Sequence, residues 1–231
     1  MSIHPVGEIP RKRLARITGA LYLGFILTTV LADTIGHIGM GLAPEVYGTI
    51  TSNPWSFRIA IVISSVSALM FLLAAWGLFV LLRPVNKNLA LLFLLLNTVG
   101  VAIQGASMIP LISALLLGDP ASSVEGYSAA QLQGLAYLAI GTYKLGFVTA
   151  QLFFGTWLFP LGYLVYKSKF LPRFLGILLL ADGVGVLIWF LQDLLLPAYP
   201  AITYPGLVVS FVAEVGLGLW LLIRGVRNGL S

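Results

Sequence analysis

Six long apolar stretches, alternating with short polar loops, decide the medium in which this chain folds. They run over Leu14 to His37, Ile59 to Leu82, Leu89 to Leu117, Leu145 to Tyr166, Phe170 to Leu196 and Tyr204 to Ile223. Each is about 20 residues or more, enough for an α-helix to cross a hydrocarbon core about 30 Å thick. Lipid offers no partner to an unpaired peptide group, so stretches of this kind read as helices. Composition points the same way: 59% of residues are hydrophobic and 9% charged, against about 25% charged in soluble domains. The expected fold is an all-α membrane protein, six transmembrane helices in one bundle over residues 14–226. A basic segment, 1–13, precedes it and a short tail, 227–231, follows.

Orientation follows from the short loops. Arg11, Lys12, Arg13, Arg16, Arg83, Lys87, Lys167, Lys169, Arg173, Arg224 and Arg227 fall on one side of the zigzag, while Arg58 and Lys144 fall on the other with Glu45, Asp119 and Glu125. The basic side should be cytoplasmic, with both termini inside and the protein in a cell membrane, the bacterial inner membrane being the natural setting. The pI of about 9.6 is therefore a topology signal, and no nucleic-acid partner is expected. The expected partner is the bilayer itself, whose anionic headgroups attract each interfacial Lys or Arg by about 1 kcal/mol.

Two segments admit alternatives. The basic start, the apolar run Ile17 to Leu31 and the ending Val30-Leu31-Ala32 loosely imitate a secretory signal, but the pattern of Asp33 to Gly41 continues as a helix end. The longest loops are Ile38 to Arg58 and Gly118 to Lys144. The second opens with turn residues Gly118, Asp119 and Pro120 and offers Ser128 as a helix cap. Residues 119–143 then read either as an extension of the fourth helix or as an amphipathic lid.

A weak internal repeat is present. Phe79 to Gly100 aligns without gaps on Leu164 to Gly185, placing Asn97 on Asp182 and Gly100 on Gly185, and Leu78 to Val85 echoes Leu219 to Val226. An even helix offset gives repeats of equal orientation, unlike the inverted plan of many transporters. The segments LLRPVNKNLALL (81–92), YLVYKSKFLPRFLGILLL (163–180) and AEVGLGLWLLIRGV (213–226) resemble the bacterial integral membrane family catalogued as domain of unknown function 4386. The resemblance runs from about Leu14 to Val226 and implies a six-helix membrane fold with no established activity.

Chemistry, if present, belongs to polar residues inside the spans, because burying them in lipid is costly. Glu214 lies ten residues before Arg224 and Asp182 nine after Arg173, so at 1.5 Å per residue both sit roughly 14 to 15 Å deep. Asn97 and Gln104 share a stripe with Gly100 and Ser107; Asp182 shares one with Gly185, Trp189, Gln192 and Asp193. Ser210, Glu214 and Gly218 stack at four-residue spacing, Lys144 and Gln151 are seven apart, and the first span carries Thr29, Asp33 and His37. Together these suggest a cavity open toward the outer side, with Asp182 and Glu214 near its floor. The candidate ligand-binding set is Asp182, Glu214, Asn97, Gln104, Gln151, Trp189 and Asp33; Asp182 and Glu214 are also the catalytic candidates if the protein is an enzyme.

Each candidate has a plainer use. Asn97, Gln104 and Gln151 serve as interhelical hydrogen-bond pegs worth about 0.6 kcal/mol each, Asp33, His37, Lys144 and Asp193 as wetted helix ends, and Trp55 and Tyr199 as interfacial belt residues. With no cysteine and no HExxH, GxSxG or phosphate-cradling loop, no metal and no cofactor is expected. Three functions remain: binding or moving a hydrophobic or amphiphilic small molecule; an intramembrane enzyme with a carboxylic acid as general acid, such as an isoprenoid cyclase using Trp189, Trp157 and Phe153 to stabilise a carbocation; or a structural or accessory subunit. An aromatic pocket around an acid favours the second, a water path from both sides favours transport, and a tightly packed interior favours the third.

Overall fold

Helix signals in the sequence account for most element ends. In the computed structural model, which describes residues 10–119 and 126–226, the chain forms α1 (Arg11–Gly36), α2 (Ala43–Ser52), α3 (Pro54–Leu82), α4 (Lys87–Gly118), α5 (Ala129–Lys167), α6 (Arg173–Leu195) and α7 (Tyr204–Ile223). A 3-10 turn at Pro200–Thr203 leads into α7. All except α2 are long and apolar enough to cross a membrane, so the molecule is a multi-pass helical membrane protein. Asn53 and Asn86 cap α3 and α4 by accepting from Ser56 N and Leu89 N, each at 3.1 Å. Such a cap satisfies one of the amides that a helix leaves unpaired at its start. Residues 120–125, with Pro120 and Glu125, the segment 1–9, and residues 227–231 with Arg227 lie outside the described residues.

Of the two readings of residues 119–143, the helix extension holds for 129–143, since the fourth span starts at Ala129, ahead of Leu145. Ser128 caps it reciprocally, with Gln131 Oε1 accepting from Ser128 N at 2.8 Å. The loop Ile38 to Arg58 also contains a helix, α2, which the sequence reading passed over. Pro44 starts it, the Glu45 carboxylate accepts from Leu42 N at 2.6 Å, and Val46 and Ile50, one turn apart, are fully buried.

Successive spans pack as neighbours, and α1 closes the ring by touching α7. This up-and-down order brings all the described basic residues except Arg58 and Lys144 to one end, called here the basic end. There Arg11 lies 5.2 Å from the Phe170 ring and Arg224 5.9 Å from Trp220. Helix α5 is the most buried span. Its 39 residues make it about 58 Å long, so it projects well past the hydrocarbon core. Two apolar clusters result. One surrounds Trp157, Leu161 and Leu179 toward the basic end; the other gathers α2, the end of α4 and the start of α5 at the distal end, around Ile50, Leu111 and Ile140.

Candidate functional site

A cavity of about 300 Å³ opens where these clusters meet. Its wall is drawn from α1 (Phe25, Thr29, Asp33), α3 (Phe71), α4 (Gln104), α5 (Phe147, Gln151, Phe154), α6 (Gly185, Trp189) and α7 (Gly206, Leu207, Ser210, Glu214), with Ile38, Gly39 and Met40 at the rim. One stripe of α7 explains the shape. Ser210 and Glu214 face the cavity, whereas Gly218, one turn on, packs against α1 so closely that a Cβ there would fall 2.8 Å from Leu23 Cδ2. The two helices are sealed at the basic end and stand apart beyond it.

At the floor, Glu214 lies within electrostatic reach of Asp182 and of the Tyr22 hydroxyl. Ser210 Oγ donates to Asp182 Oδ1, Asp182 Oδ2 is buried without a hydrogen-bond partner, and the Tyr22 hydroxyl adjoins Glu214. An unpaired buried polar atom costs about 1–3 kcal/mol, so the Asp182 oxygen favours any guest or water that can reach it. Tyr22 was not among the sequence candidates, although a signal existed. It lies eleven residues after Arg11, about 16 Å deep by the same ruler that placed the two acids.

The aromatic wall adjoins this floor. Tyr22 meets Phe25 and Phe71 edge-on at 6.0 Å, Phe25 stacks on Phe71 at 4.1 Å, and Phe71 reaches Phe154 at 5.2 Å. Phe147 and Trp189 make an edge contact at 5.9 Å higher up. Sequence reasoning missed the phenylalanines because apolar aromatics in a membrane span carry no sign of which face is inside. Of the aromatics it did name, only Trp189 lines the cavity. Trp157 is wholly buried against Phe71 and Phe93, and Phe153 lies outside the wall.

Five of the seven sequence candidates, Asp33, Gln104, Gln151, Trp189 and Glu214, line the cavity, and Asp182 is held just behind Ser210. Asn97 is elsewhere. It is fully buried with both amide atoms unpaired, on the face of α4 whose Gly100 and Ser107 pack against Phe154 and Gly146 of α5. Gln151 donates to Phe147 O at 3.3 Å, Gln192 donates to Leu196 O at 3.0 Å at the end of its own helix, and Asp193 is exposed.

Lys144, Asp33 and His37 build the rim. Lys144 Nζ donates to Gly39 O at 2.6 Å, Met40 N to the Asp33 carboxylate at 3.1 Å, and His37 Nδ1 is 3.0 Å from Thr49 Oγ1. Gly39 has φ 125°, a conformation that side chains disfavour, which lets the chain turn sharply over the mouth. Among the described residues no group of three or more His, Asp or Glu could hold a metal ion. What the site offers chemically is the Asp33 and Glu214 carboxyls, the Thr29 and Ser210 hydroxyls and aromatic faces in a mostly apolar chamber.

These features define a polytopic helical membrane protein with a chamber walled within its own bundle. The chain belongs to the family described as a domain of unknown function (DUF4386), whose model matches residues 17–225. It is also similar to an uncharacterized protein of Archaeoglobus fulgidus, 31% identical over 156 residues, covering 65% of this chain and 74% of that one. No solved structure matches.

Proposed function

We propose that the protein binds a hydrophobic or amphiphilic small molecule inside the membrane, in the cavity floored by Glu214. The observation carrying this reading is the chamber itself: about 300 Å³, mostly apolar, with a few converging polar groups, the usual composition of a small-molecule site. The basic belt supports placing both termini in the cytoplasm, and a bacterial inner membrane fits that arrangement.

A second reading, an intramembrane enzyme with Glu214 or Asp182 as general acid, is favoured by the aromatic wall beside the acid, since aromatic faces stabilise developing positive charge. An accessory subunit would fit the close-packed basic half alone.

Native mass spectrometry with lipid extraction, comparing wild type with Asp182→Asn and Glu214→Gln, tests the binding reading. A defined small lipophile should accompany the wild type and be lost from at least one variant. Identical content and stability in all three would remove the acids from function and favour the accessory role. A chemically altered product released only by wild type would favour the enzyme.

A further inference from the structure

The cavity's charges limit the kind of molecule that suits it. Asp33 at the mouth and Glu214 at the floor are the ionisable residues in its wall, and among the described residues no Lys or Arg lines it. The nearest distal cation, Lys144, donates to Gly39 O at the rim, lies 5.8 Å from the Tyr143 ring and has Asp33 as its first acidic neighbour, so the mouth acid is balanced and the floor acid is not. Asp182, behind Ser210, adds a third acid. An anionic amphiphile whose head reached the floor would meet Glu214 and Asp182 and find no counter-charge in the wall. A neutral lipophile would fill the apolar space but leave the polar floor unmatched.

Aromatic faces sit where the acid is. Phe25 and Phe71 line the chamber, and both touch Tyr22, whose hydroxyl adjoins Glu214. A carboxyl group beside stacked aromatic rings is the combination that recognises ammonium groups, because the ring quadrupole and the acid attract the same sign of charge. Tyr22 and Asp33 are eleven residues apart on α1, which sets the distance from floor to mouth at about 16 Å. That span suits a single apolar body lying along the bundle axis.

We propose that the cavity selects a lipophilic cation of the alkylammonium class, its positive head at Glu214 against Phe25 and Phe71 and its apolar body along Phe154, Phe147 and Trp189. The proposal rests on the binding reading above and names its ligand class. Thr29, Ser210, Gln104 and Gln151 are neutral and supply hydrogen bonds without changing the charge preference.

The test uses the full chain in phosphatidylcholine nanodiscs, titrated calorimetrically with decyltrimethylammonium, decanol and decyl sulfate, with empty nanodiscs subtracted. The three share an apolar chain and differ in head charge. Saturable binding of the cation, at least tenfold tighter than either other probe and weakened tenfold or more by Glu214→Gln with decanol binding unchanged, is the expected result. Asp33→Asn, at the wetted mouth, should weaken the cation two- to threefold and serves as the second variant if Glu214→Gln does not fold. Equal binding of decanol or decyl sulfate, or a cation affinity indifferent to both substitutions, overturns the charge selection while leaving a lipophile cavity in place. Absence of saturable binding by all three probes overturns the cavity reading as well.

Discussion

The two ends of the α1–α7 pair behave differently. Toward the basic end the helices approach so closely that a Cβ on Gly19 would fall 2.5 Å from Leu222 N and 2.7 Å from Gly218 O. Farther out, Thr29 and Asp33 of α1 face Leu207 and Ser210 of α7 across open space. Inside a bilayer, lipid tails are as apolar as leucine, so helices associate through close packing and hydrogen bonds rather than through hydrophobic exclusion. Glycines permit that closeness at one end. At the other end the glycine of α7, Gly206, meets Gly185 of α6 instead of α1, and the α1–α7 seam is left open.

Breaking the sealed end should have the largest effect. Gly19→Val forces a branched side chain into the Leu222 and Gly218 backbone and is expected to cost about 3 kcal/mol. This should appear as a melting temperature lowered by about 10 °C in detergent. Gly134→Ala, where an added Cβ meets nothing within 4 Å, should instead stabilise by about 0.5–1 kcal/mol through helix propensity. A similar loss at both glycines would show that the seal is no tighter than any other helix face.

At the open end, Ser210→Ala removes the hydroxyl that donates to Asp182. It should destabilise by about 1–2 kcal/mol in thermal unfolding, less than the Gly19 change. Lys144→Met frees the Gly39 carbonyl and should cost about 1 kcal/mol, with faster amide exchange confined to residues 38–41. Exchange spreading into α1 and α7 together would mean that the rim turn holds the gap's width. The smallest effect belongs to Arg58→Ala. This breaks the 2.8 Å pair with Asp119, whose arginine is 44% exposed, and should shift stability by less than about 1 kcal/mol, diminishing in high salt.

Much of the site was legible because depth can be counted. Glu214 and Asp182 each stand about ten residues from a basic anchor, and their chemistry makes them conspicuous among leucines. Thr29, Asp33, Gln104, Gln151 and Trp189 could be assigned to faces for the same reason. Tyr22 was readable by that ruler and was missed only because a lone tyrosine in a span looks like belt or core. Depth alone does not place Asn97, since its depth and chemistry match those of Asp182, its counterpart in the internal repeat. It nevertheless lies on a face buried against α5, while Asp182 reaches Ser210.

By itself the sequence determined that this protein is a six-span helical bundle with most of its basic residues on one side of the zigzag. Span length, hydropathy and the rule that lipid tolerates no unpaired backbone leave no other outcome. The tertiary structure alone decided that α2 tucks beneath the distal rim and that the α1–α7 seam opens beside Phe25, Phe71 and Glu214. Apolar helices look alike from every side, so which face turns inward is a property of how close each neighbour can come. That closeness depends on pairs of residues, such as Gly19 with Gly218, which are far apart in the chain and meet only once it has folded.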